Sequence, residues 1–174
     1  MEKASKQALD LFIWGNPSRG DDAIGPVLHQ MLAQFIMQLS LTNIQLIEDM
    51  QLQPEHCCDI REGACIVFID ASFQGDTAYQ VQAVNHQEQL GYCTHALSPG
   101  ALMSLYQQIQ SKPCPPAFLL SVRGYHFALG APLSKAAQAN IKAAEHFLKE
   151  LLTCQKPLQL LQQAAELNEG GSNA

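Results

Sequence analysis

The chain has 174 residues, is 47% hydrophobic and carries a formal net charge of −6. That length suits one domain able to bury roughly two-thirds of its unfolded surface, and the apolar content excludes wholesale disorder. The acidic balance and the lack of any basic cluster exclude the electrostatic footprint of a nucleic-acid binder and disfavour an anionic membrane surface.

In chain order, Leu9–Gly15 reads as a buried strand and is followed by a turn rich in Gly, Asn, Pro and Ser. Ile24, Val27, Leu28, Met31, Leu32, Phe35, Ile36 and Leu39 then recur at three- and four-residue steps, which marks one helix face. Pro26 suits the first turn of that helix and leaves Asp21 and Asp22 in the turn just before it. Asn43–Ile47 reads as a second strand and Pro54–Glu62 as a short helix. Cys65–Ile69 is a continuous apolar run, as expected of a central parallel strand, and it ends at Asp70. Tyr79–Val84 alternates and suggests a half-solvated or antiparallel strand. Ser98-Pro99 is an N-cap followed by a first-turn proline, opening a helix with Leu102, Leu105, Tyr106 and Ile109 on one face. Ala117–Val122 is the last strand, and Ser134 caps a helix bearing Ala137, Ile141, Ala144, Leu148 and Leu151. From Gln155 the chain is Gln-rich and reads as a frayed tail. The expected organisation is one α/β domain over 1–154 and a partly disordered tail over 155–174.

The amino-terminal apolar run Leu11–Trp14 is too short for a secretory signal, and the longest apolar runs are strand-sized. Six cysteines, two of them adjacent and none in a CxxC, fit reduced thiols in a cytoplasmic protein.

Strands alternating with helices imply a largely parallel sheet, and in such sheets ligands collect at the carboxyl ends of the strands. Asp21 and Asp22 follow the first strand and Asp70 ends the third, so all three are expected at one sheet edge. The turn Gly15–Gly20 lacks both the dinucleotide fingerprint and the P-loop Gly-Lys-Ser/Thr, and two carboxylates would repel a pyrophosphate. The acids serve either the helix start, where negative charge is favourable, or a site. Asp70 is equally a turn residue or a ligand. His95, three residues before the Ser98 cap, is either a surface side chain or a third ligand. Two carboxylates and an imidazole suit a divalent first-row metal and leave coordination positions open. Glu55-His56-Cys57-Cys58 also contains metal-capable groups, with Cys58 expected in the core and His56 at the surface or in a pocket. Cys93 lies two residues from His95, and His29, His86 and His146 have no evident partners. Ser72, Ser98 and Ser121 lack a nucleophile elbow.

Gly15-Asn16-Pro17-Ser18-Arg19-Gly20-Asp21-Asp22-Ala23-Ile24-Gly25-Pro26 resembles the opening motif of the hydrogenase maturation endopeptidases. Phe68-Ile69-Asp70-Ala71 resembles their second motif and Thr94-His95 their third, in the same order over residues 9–152. The resemblance implies a three-layer α/β/α sandwich with a twisted, mostly parallel five-stranded sheet. It implies Asp22, Asp70 and His95 as nickel ligands and catalytic residues, with Asp21 supporting. The implied partner is the hydrogenase large-subunit precursor, which brings the nickel on its own thiolates and loses its C-terminal extension; no organic cofactor, nucleic acid or membrane is implied. The stretch Asp49–His56 departs from the Asp-Gly-Gly of many members and is similar to the branch serving cytoplasmic, NAD-type bidirectional hydrogenases, as is Arg123–Phe127. Two alternatives remain open: a non-catalytic nickel- or precursor-binding chaperone, and a small-molecule or nucleotide-binding regulator.

Overall fold

The computed structural model describes residues 6–86 and 97–170. Five strands form one sheet in the order β2-β1-β3-β5-β4, with β1 Leu9–Trp14, β2 Ile44–Asp49, β3 Cys65–Ser72, β4 Tyr79–Ala83 and β5 Ala117–Arg123. β1, β2, β3 and β5 run parallel, and β4 pairs antiparallel with β5. The continuous apolar run of Cys65–Ile69 is buried throughout because strands lie on both sides of β3 and helices cover both its faces. The alternation of Tyr79–Ala83 fits an edge strand with one face on the core.

One sheet face packs Leu9, Leu11, Ile13, Val67 and Ile69 against Ile24, Leu28 and Leu32 of α1, Ile24–Leu39, and against Ile141, Ala144 and Leu148 of α3, Lys135–Thr153. The opposite face packs Phe12, Ile66 and Phe68 against Leu102, Met103 and Tyr106 of α2, Pro99–Gln110. These are the three layers expected from the sequence. Ser98 and Ser134 cap α2 and α3 as expected, each hydroxyl accepting a backbone N–H three residues on, at 3.1 Å in both. The apolar stripes fail at their last members: Leu39 and Ile109 are exposed, since each lies in a final helical turn.

Several expectations are corrected. β3 continues two residues past Asp70, because the ladder to β5 extends to Ser72 and Arg123. The expected helix over Pro54–Glu62 is a 3-10 segment confined to Pro54–Cys58. Within it Cys57 rather than Cys58 is buried, and His56 is also buried, its ring 5.8 Å from that of Phe12. His29 is partnered, its Nδ1 lying 3.0 Å from Glu48.

The largest difference is at the C-terminus, where a frayed tail was expected from Gln155. Pro157–Gly170 forms a further helix, α4, with Leu161 and Ala165 buried. Asn168 Nδ2 donates to the Val81 carbonyl of β4 at 3.0 Å. An edge strand leaves backbone polar groups open to other chains, and α4 covers this one. Its glutamines face outward while a few small and aliphatic residues carry the contact, so composition concealed it.

At the amino edge of the sheet, fully buried Asp10 is neutralised by Arg61, with Arg61 Nε 2.6 Å and Arg61 N 2.7 Å from its carboxylate. Arg61 also reaches the carbonyls of Leu9 and Asn43. Among the described residues no helix is long and apolar enough to cross a membrane, and the five cysteines there are free thiols.

Candidate active site

The chain leaves β1 at Trp14 and turns through Gly15–Arg19 into a 3-10 turn, Gly20–Ala23, that runs directly into α1. This close return needs glycine at two places. A Cβ on Gly25 would collide with the Trp14 carbonyl, and one on Gly15 with the Asp22 carbonyl, where φ is also +153°. The two acids thus sit above the carboxyl ends of β1 and β3, the edge expected from the topology.

The neighbouring acids have opposite environments. Asp21 has no exposed surface. Its carboxylate accepts from the backbone N–H groups of Tyr125 at 2.7 Å, His126 at 3.1 Å and Ser134 at 2.7 Å, and from the Ser134 hydroxyl at 2.9 Å. Burial works against the charged form, but these four bonds outweigh it and hold the carboxyl below its ordinary value. With its oxygens so engaged, Asp21 fastens the loop 124–134 to the turn and has a supporting role.

Asp22 is half-buried, and its Oδ2 accepts a single backbone N–H, from Asn16, at 2.9 Å. Asn16 Oδ1 in turn accepts from Ser18 N at 2.9 Å, so the asparagine orders the turn that presents Asp22.

Asp70 lies on the same sheet face as Phe68, two residues earlier in β3. Burial pushes its carboxyl up to about 7; the Ala71 N–H at 2.8 Å opposes this, the Asp22 charge adds to it, and a hydrogen bond from the Trp14 side chain opposes it. Trp14 is a site residue that the sequence did not single out, since a tryptophan ending a strand reads as core. The Asp22 charge is thus close enough to act on the Asp70 carboxyl. Two carboxylates sharing a desolvated space repel unless a cation lies between them.

The structure thus brings together Asp22 and Asp70. His95 and Cys93 lie outside the described residues. Among the described residues no three His, Cys, Asp or Glu side chains cluster as a metal site. Arg123, at the end of β5, has its Nη1 3.9 Å from Asp76 and its guanidinium 5.1 Å from the Tyr125 ring centroid. Among the described residues Glu55–Cys58 joins no group of three metal-capable side chains; His56 Nδ1 accepts from Gln53 N at 3.0 Å and its Nε2 is 3.5 Å from Asp49.

No family model matches the chain, and no curated protein matches it. Solved structures do. A [NiFe] hydrogenase maturation protease, HycI from Thermococcus kodakarensis KOD1, superposes with a TM-score of 0.64 at 19% identity, over 87% of this chain and 96% of that one. The [NiFe] hydrogenase maturation protease HybD from Thermococcus kodakarensis gives 0.61 at 17% identity, over 84% and 100%. The hydrogenase maturating endopeptidase HybD from E. coli gives 0.61 at 14% identity, over 82% and 90%. The fold of this chain is therefore one it shares, over nearly the whole length of those chains, with hydrogenase maturation proteases.

Proposed function

We propose that the chain is an endopeptidase that removes the C-terminal extension from the nickel-loaded precursor of a hydrogenase large subunit. The observation that carries this reading is the pair Asp22 and Asp70, the charge of the first acting on the buried carboxyl of the second, at the carboxyl edge of a sheet whose fold is that of known maturation proteases. Half a coordination shell suits a metal that arrives with its substrate. The precursor would hold nickel on its own thiolates, and Asp22, Asp70 and His95 would complete the ligand set.

In the proposed cleavage, water adds to the scissile carbonyl, the C–N bond breaks and the departing amine takes up a proton. A nearby acid would carry that proton from the attacking water to the amine, while Asp70, a desolvated carboxyl when no cation is present, would gain from a divalent metal beside it. Asp22, nearer the turn and held by Asn16 N–H, suits the role of a fixed anionic ligand. The proposed partner branch is the cytoplasmic, NAD-type bidirectional hydrogenases, on the strength of Asp49–His56 and Arg123–Phe127.

The test is a cleavage assay with nickel-loaded and nickel-free precursor. Processing of the loaded form alone, lost in Asp22→Ala, Asp70→Ala and His95→Ala, is the expected result. Normal processing by all three variants would sink the assignment. Binding of the loaded precursor by the unmodified chain without any cleavage would favour a nickel- or precursor-binding chaperone.

A further inference from the structure

Trp14 closes β1 and is the only tryptophan in the chain. Its neighbours on the adjoining strands are both acids. It pairs in register with Asp49 of β2, and one step beyond the Ile13–Ile69 pair it comes level with Asp70 of β3. Residues level in a parallel sheet point to one face, here the face packed on α2. The Trp14 ring meets Phe68 edge-on at 6.2 Å; Phe68 lies 5.5 Å from Phe12, and Phe12 5.8 Å from His56. The indole thus ends a continuous row of rings, and close packing of this kind leaves a side chain little freedom.

An indole has one N–H donor and no acceptor. Trp14 directs it at the Asp70 carboxyl, whose Oδ1 also accepts the Ala71 N–H at 2.8 Å. The carboxyl is therefore held from two strands, by β3 through its backbone and by β1 through a side chain. The kind of donor matters beside a metal. A lysine or arginine would neutralise Asp70 and take the place of the cation. A histidine would compete for the metal as a ligand. Tryptophan orients a carboxylate and does neither. The groups of the described residues that act on Asp70 are Ala71, Asp22 and Trp14, and none of them is a cation.

We infer that Trp14 is a positioning residue: packed against Phe68 and donating to Asp70, it fixes that carboxyl in the orientation that receives the metal brought by the substrate. The inference rests on the protease reading for the source of that metal. Asp22 owes its orientation to the Asn16 N–H of its own turn. Trp14 performs the same service for the second acid from the neighbouring strand.

The experiment compares affinity for nickel-loaded and nickel-free large-subunit precursor, and cleavage of the loaded form, in the full chain and in two forms that lack the donor. Trp14→Phe keeps a ring against Phe68. Replacement of tryptophan by benzothienylalanine, which carries sulfur in place of the indole N–H, keeps the whole shape and alters Trp14 alone, because the chain has no other tryptophan. Circular dichroism verifies folding, and the analogue carries the test where phenylalanine does not fold. The expected result is unchanged affinity for nickel-free precursor and a loss of about tenfold in the preference for the loaded form, with kcat falling alongside. In an Asp70→Asn background, which keeps Asp22 and His95, loss of the donor should cost nothing further. Unchanged preference and cleavage in both donor-free forms, beside normal cleavage by the unmodified chain, overturns the positioning role and leaves the protease reading standing. An equal loss in the Asp70→Asn background overturns it as well, since Trp14 would then act through packing alone. A donor-dependent preference for the loaded precursor with no cleavage by any form upholds the positioning role and overturns the protease reading. No preference for the loaded precursor in the unmodified chain overturns the positioning role.

Discussion

Ser134 and Asp21 meet across the fold: the serine donates to the aspartate through its backbone N–H at 2.7 Å and through its hydroxyl at 2.9 Å. The same hydroxyl accepts the Ala137 N–H that begins α3. One side chain therefore caps a helix and anchors the turn that presents Asp22, which couples the position of the site to the packing of α3.

Asp21→Asn should destabilise the fold at neutral pH by about 2–4 kcal/mol, because an amide group replaces one acceptor oxygen with a donor among four donors. Asp21 titrates below its ordinary value in the folded state, so its stabilisation is present above the unfolded pKa and lost as pH falls through the folded one. Denaturant melts at a series of pH values should show the gap between the two proteins narrowing below about pH 4. A constant gap across that range would contradict the ionised anchor.

Asp70→Asn should have the opposite effect on stability while abolishing processing. The folded-state carboxyl titrates near 7, above its unfolded value, so its contribution is fully favourable below the unfolded pKa and is lost as pH rises through 7. At pH 8 the unmodified, metal-free chain carries a desolvated charge that asparagine lacks. Allowing for the carboxyl's partial exposure, the variant should be more stable by about 1–2 kcal/mol there and near equal at pH 4. Thermal melts at the two pH values give the comparison.

Gly15→Ala should displace the Asp22 carbonyl, since the new methyl group meets it directly and the backbone is at a φ that side chains rarely adopt. Processing should fall by about tenfold or more with a stability loss of about 1–3 kcal/mol. A full melt with processing intact would show that the turn tolerates movement of Asp22.

Truncation after Cys154 should remove α4, uncovering the outer edge of β4 and the contacts of Leu161 and Ala165. The shortened chain is expected to self-associate in size-exclusion chromatography. The milder Leu161→Ala should cost about 2–4 kcal/mol in denaturant melts while remaining monodisperse.

Much of the fold was legible because local chemistry and global packing agree. The run Cys65–Ile69 has one place to go, between other strands, and it goes there. Ser98 and Ser134 cap the helices they precede. The helix α4 was not legible, since its stability comes from a few contacts to β4 rather than from a strong apolar stripe. The exposure of Phe73 and Leu129 was equally hidden, because hydrophobicity alone does not say which apolar residues the core has room for.

The sequence by itself determined the α/β class, the order of the motifs and the edge of the sheet at which Asp21, Asp22 and Asp70 gather, since strand direction follows from chain order and crossover rules. The family resemblance already set Asp22 apart from Asp21, but only the tertiary structure supplied the physical reason. Asp21 and Asp22 are chemically identical and neighbours in sequence, and what separates them is a loop more than a hundred residues away whose backbone N–H groups saturate one and leave the other open. Hydrogen bonds between distant segments have no local signature, so the cause of that distinction, unlike the motif position that announces it, exists only once the chain has closed around Asp21.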